Sequence, residues 1–155
     1  MSAHTIRAAT TYAEDVFTWA HEQAAALRRL AADSFNLPEP VDLLNIAEEI
    51  ESLGSSQWRE LGSRYTVLVA HLLKWRHQPD KRSRSWGATI DTQRRELSTL
   101  LRFSPDLKPK RAEELRLAYP HARREAARQT RLPLTTFPET CPFTVNQVED
   151  EEFWG

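Results

Sequence analysis

The chain has 155 residues, one cysteine, four glycines and a net charge of −1; this suits one domain with its own core, excludes an internal disulfide, and leaves tight β-turns and glycine-rich phosphate loops poorly supplied. Its longest aliphatic run, 67–70, stops at His71, and residues 1–10 carry no apolar core, so neither a membrane-spanning helix nor a signal peptide is expected, and a bacterial or archaeal cytoplasm is the expected compartment. The small net charge hides a steep distribution, with 10 acidic against 4 basic residues over 1–63, 17 basic against 7 acidic over 64–131, and 5 acidic with no base over 132–155, an asymmetry that bears on partners rather than on fold.

The first helix is predicted over about 12–32, after a flexible terminus at 1–11. Thr11 with Glu14 has the form of a capping box. Ala13, Phe17, Ala20, Ala24, Leu27 and Ala31 recur at helical spacing, on a face small enough for a partner helix to approach closely. Residues 33–41, broken by Pro38 and Pro40, form a connection. Asp42 is a good N-cap. The apolar series Leu43, Ile46, Ile50, Leu53, Leu61, Tyr65, Leu68, Leu72 and Trp75 keeps a spacing of about 3.6 residues through Gly54 and Gly62. It predicts one long helix over 42–78, with Gly54 as the place for a bend; a break there into two helices is the alternative.

Pro79 ends that helix, and a basic loop leads to a third helix over about 85–103, with Trp86, Ile90, Leu97, Leu100 and Leu101 inward. A fourth is predicted to open at Asp106, tolerating Pro109 in its first turn, with Leu107, Leu115, Ala118, Ala122 and Ala126 on its face. Pro120 must kink or restart it. Beyond Arg131, Pro133, Pro138 and Pro142 dictate an extended strap anchored by Leu134 and Phe137. Thr144 and Gln147 cap a last turn before the acidic 149–152. The expected fold is all-α: an irregular antiparallel bundle of about four main helices in one domain, 1–155, with the second helix as spine and a C-terminal strap.

Several pieces in order along nearly the whole chain carry a resemblance. They are Tyr12-Ala13-Glu14-Asp15-Val16-Phe17-Thr18-Trp19, Glu48-Glu49-Ile50-Glu51-Ser52-Leu53-Gly54, His71-Leu72-Leu73-Lys74-Trp75, Arg82-Ser83-Arg84-Ser85-Trp86, Gln93-Arg94 and Cys141-Pro142. Through them the chain resembles the bacterial family catalogued as domain of unknown function 29. The resemblance implies an all-helical fold and no activity.

The second helix carries a polar seam. On a wheel centred on Ile50, Gln57, Arg64 and His71 fall among the apolar residues, seven apart; Gln78 continues the series at the edge, and Gln93 is as central on the third helix. An inward arginine needs a partner, and Glu60 or Glu49 can supply it with His71 nearby. The seam reads either as a structural network that fixes register or as a pocket with Glu49, Arg64 and His71 as candidate catalytic groups. Glu48 and Glu51 echo an acidic pair of helical nucleotide pyrophosphohydrolases but have no second pair, and Arg64 would repel a cation near His71. No metal site and no cofactor are expected. Cys141 reads as an inert thiol rather than a nucleophile.

Lys74, Lys81, Arg82, Arg84, Arg94 and Arg95, around Trp75 and Trp86, are candidate nucleic-acid contacts. Both tryptophans lie on apolar faces and are expected in the core. The same bases would also suit an acidic protein partner, or the chain's own acidic tail folding back on 74–95 or 108–131. The expected function is a non-catalytic interaction protein working through a charged helical surface, either alone or as a homo-oligomer. The alternative is a hydrolase or nucleic-acid-binding protein with a pocket around Glu49, Arg64 and His71.

Overall fold

The computed structural model describes residues 9–33 and 36–155; most of the terminus expected to be flexible lies outside the described residues. Four long helices, α1 (Val16–Asp33), α2 (Leu43–His77), α3 (Arg84–Phe103) and α4 (Arg111–Thr130), precede a strap that holds the short α5 (Val145–Glu149). Turns of 3-10 helix at Pro79–Lys81, Pro105–Lys110 and Leu134–Thr136 join them, and no strand occurs among the described residues. The architecture is all-α, as the periodicity predicts.

α2 is the spine. It crosses Gly54 and Gly62 unbroken and packs against α1, α3 and α4. Asp42 caps it, accepting a hydrogen bond from the Asn45 N–H at 3.1 Å. Consecutive helices alternate in direction: Arg64 meets Gln93 and Lys74 lies over Trp86, so α3 runs antiparallel to α2. Gly62 faces Glu114 and Lys74 reaches Gln129, so α4 runs parallel to it. α1 approaches closely because small residues meet there. Ala20 and Ala24 are fully buried, and a Cβ on Gly54 would come within 3.0 Å of the Ala20 Cβ.

Helix starts differ from the expectation for a tertiary reason. Glu14 does accept from Thr11, but in a separate turn, and α1 begins only at Val16. Its N-cap is the buried Asp15. One carboxylate oxygen accepts from the Thr18 N–H at 2.8 Å, and the other from the Asp106 N–H at 2.6 Å. That second bond joins α1 to the turn before α4, where Pro105–Lys110 forms a 3-10 turn over the buried Leu107. The α-helix therefore starts at Arg111 rather than Asp106. Of the kink or restart expected at Pro120, the restart does not occur, because α4 is continuous through it. Pro120 and Arg116, whose carbonyl loses its donor, are both exposed, so water can replace the missing bond.

The inward series of α2 is Leu43, Ala47, Gly54, Leu61, Tyr65, Leu68 and Leu72; Ile46 and Leu53 point outward, against expectation. The buried face is turned roughly 35° from Ile50, because small Ala47 and Gly54 meet α1 where larger aliphatics would hold it off. The core joins Leu61, Tyr65, Leu68 and Leu72 of this series to Ile90, Leu97 and Leu101 of α3 and to Leu115, Ala118 and Ala122 of α4. Phe137, Phe143 and Val148 of the strap cover it, each burial contributing roughly 1.5–3 kcal/mol. Leu134, expected as an anchor, sits exposed in a 3-10 turn, and Phe143 takes its place. Tyr119 Oη donates to the Pro138 carbonyl at 2.6 Å and Arg123 Nε to that of Phe137 at 3.0 Å, fastening the strap to α4. Thr144 and Gln147 form a complete capping box on α5.

Candidate interaction surface

The turned face of α2 moves the polar seam from the core to a shoulder. There Arg64 keeps 27% of its side-chain exposure, mostly but not fully buried, and donates to Glu60 at 2.9 Å and to Gln93 Oε1 at 3.4 Å, with Glu96 at 3.6 Å. Glu60 is thus the partner. Glu49 is exposed and lies fifteen residues back along α2, about 22 Å away. His71 turns toward α4, its Nδ1 2.8 Å from the Val67 carbonyl oxygen. Burial holds its pKa below the ordinary histidine value. The structure therefore does not bring Glu49, Arg64 and His71 together: one meets solvent, one α3 and one α4.

His71 lines a groove of about 460 Å³ between α2 and α4, with His121 and Glu125. Past Thr66 and Val67 it continues into a depression of about 560 Å³ beside Arg59 and Glu114. Glu114 is a buried acid that the sequence reading missed. Its Oε1 has no hydrogen-bond partner, and burial raises its pKa, although a bond with the Trp58 side chain opposes the shift. The signal for it was Gly62: a Cβ there would stand 3.2 Å from Glu114 Oε2. Among the described residues no three His, Cys, Asp or Glu side chains gather as a metal-ligand set. Cys141 is half-buried, its thiol pushed up by burial, which disfavours the thiolate.

Two of the six basic candidates are internal. Lys74 is buried, with Nζ 2.6 Å from Gln129 Oε1 and 4.3 Å over the Trp86 ring. Arg94 is buried too. Its guanidinium donates to the main-chain carbonyls of Val148 at 2.9 Å, Glu151 at 3.4 Å and Phe153 at 2.5 Å. Neither is available to a phosphate. Arg82 lies over Trp75 and bonds its carbonyl, while Lys81, Arg84 and Arg95 are exposed. Trp75 and Trp86 are half-buried, and Trp75 packs against Trp154 with ring centroids 4.8 Å apart.

The tail does fold back, but chiefly through its backbone. Besides the clamp at Arg94, Glu149 pairs with Arg111 at 2.6 Å and accepts from Tyr65 Oη at 2.5 Å. Glu151 and Glu152 border an open depression with Arg95.

At the opposite end, α1 and the first half of α2 form an arm. Glu114, in the first turn of α4, faces Gly62, and α3 ends at Phe103, so neither helix runs beside the start of α2. Leu30, Leu37, Val41, Leu44, Ile46 and Leu53 are exposed on this arm.

The fold and these surfaces define an all-helical protein hung on one long central helix. The chain belongs to the family described as Domain of unknown function DUF29, whose model matches residues 11–154. It is similar in structure to an alpha-helical protein of unknown function from Rhodospirillum rubrum, with a TM-score of 0.72 and 26% sequence identity over 93% of this chain and 92% of that one. No curated protein matches the chain.

Proposed function

We propose that the protein is a non-catalytic interaction module of the bacterial cytoplasm, working through its charged helical surface. The observation that carries this reading is the arm, where large aliphatic side chains stand exposed among acidic ones. Large apolar groups in water favour a partner that covers them. The hydrolase alternative would need Glu49, Arg64 and His71 on one substrate, and their separation along α2 gives it no support. The lone thiol of Cys141 suits a reducing compartment. No helix among the described residues is long and apolar enough to cross a membrane.

The test is affinity capture of the tagged chain from its native host after mild cross-linking, against an unrelated tagged helical protein. The expected result is a protein retained in near-stoichiometric amount. A chain recovered alone under those conditions, or one that turns over nucleotides or nucleic acid, would overturn the reading.

A further inference from the structure

The exposed aliphatic side chains of the arm include a strip along one flank. The Arg28–Glu51 ion pair, at 2.5 Å, marks one side of the α1–α2 hairpin. At about 100° per residue, Leu27 and Leu30 of α1 and Ile46, Ile50 and Leu53 of α2 fall on the other side. Ala20 against Gly54 and Arg28 against Glu51 set the register, which puts Leu30 level with Ile46 and Leu27 level with Ile50. Leu30, Ile46 and Leu53 are 48%, 42% and 43% exposed.

Farther along α2 this same flank is covered by α3, where Arg64 meets Gln93 and Glu96. The antiparallel register brings the end of α3, at Phe103, close to where the strip begins. The strip thus prolongs a helix-packing surface beyond the helix that covers it.

Charge narrows the occupant. From residue 33 to residue 57 the sequence holds six acidic side chains and no basic one. Glu51 is taken by Arg28, while Asp33, Glu39, Glu48 and Glu49 are exposed. Glu49 borders the strip beside Ile46 and Leu53. Pairing this flank with the same flank of a second copy would set acid against acid.

We propose that the flank docks an amphipathic helix of a partner protein, one whose apolar stripe is bordered by Lys or Arg. The proposal rests on the interaction-module reading and names its surface and the partner's chemistry. Leu30, Ile46, Ile50 and Leu53 receive the apolar stripe, and the acidic edge attracts the basic border.

The probe is a fluorescein-labelled Leu/Lys peptide of about 18 residues with its leucines at helical spacing. A Leu/Glu peptide with the same apolar stripe is the control, and fluorescence anisotropy reads both. The intact chain should bind the Leu/Lys peptide, more weakly as salt rises. The double variant Ile46→Gln with Leu53→Gln should lose at least about tenfold in affinity, and Glu49→Lys should lose several-fold. All three positions are exposed, so melting temperatures should stay within about 2 °C of wild type. Equal binding of the two peptides, or undiminished binding by the double variant, overturns the proposal. So does a wild-type dimer that the double variant turns into a monomer, since the occupant is then a second copy. If the native partner captured above is retained by the double variant, this flank is wrong and the interaction-module reading stands.

Discussion

Arg94 shows how a basic side chain in a phosphate-binding pattern can be spent inside the molecule. Its planar fork reaches three carbonyls of the C-terminal segment, so Arg94→Ala strands them and should cost on the order of 3 kcal/mol. Carboxypeptidase should then trim the last residues faster. Arg94→Lys should recover only part of the loss, because a point-like ammonium cannot serve three acceptors in that geometry. Arg64 is the opposite case. Its side chain and that of Glu60 keep 27% and 39% of their exposure, so Arg64→Ala should lower stability by no more than about 1 kcal/mol in chemical denaturation. Glu114 gives a pH signature. Burial raises its folded pKa above 4.5, so the folded state binds more proton than the unfolded one between those two values. Its contribution to stability is therefore largest at low pH and falls as pH rises through that window. Glu114→Gln should melt higher than wild type at pH 7.5, with the gap closing on acidification below the ordinary carboxylate range.

At the scale of elements, α1 depends on a contact between small residues. A Cβ at Gly54 would meet Ala20 Cβ at 3.0 Å and His21 Nδ1 at 3.1 Å, so Gly54→Leu must push α1 away and should cost about 1–3 kcal/mol. Hydrogen exchange should show α1 losing protection before the second half of α2, and Trp58, 5.5 Å from the Phe17 ring centroid, should report the same event by fluorescence. The extent of α2 could be read from its unbroken phase, and the capping box of α5 from Thr144 and Gln147. The start of α1 could not be read, because Asp15 was selected as cap partly by Asp106, 91 residues away. The outward turn of Ile46 and Leu53 was also hidden. A wheel weighted by apolar size points large side chains inward, whereas close helix contact here selects Ala47 and Gly54.

For the whole molecule, the question is how the opposed charges settle. Of the tail, Val148 is fully buried and Glu149 is bonded to Arg111 and Tyr65, so truncation after Asn146 would disturb folding as well as charge. The cleaner test neutralises Asp150, Glu151 and Glu152, which are exposed. The intact chain should bind nucleic acid weakly at near-physiological salt, and the neutralised variant more tightly with a steeper salt dependence, in gel-shift titrations. Tight binding by the intact chain would make Lys81, Arg84 and Arg95 a working phosphate face.

The sequence by itself determined the helical class, the unbroken central helix, the strap and the acidic and basic blocks, because periodicity, prolines, caps and net charge are local quantities. Only the tertiary structure decided which face of α2 is inside, which bases are spent internally and which acid is stranded beside Gly62. Those outcomes depend on contacts between residues tens of positions apart: Gly54 with Ala20, Arg94 with the chain's last carbonyls, and Glu114 with the space a missing Cβ leaves open.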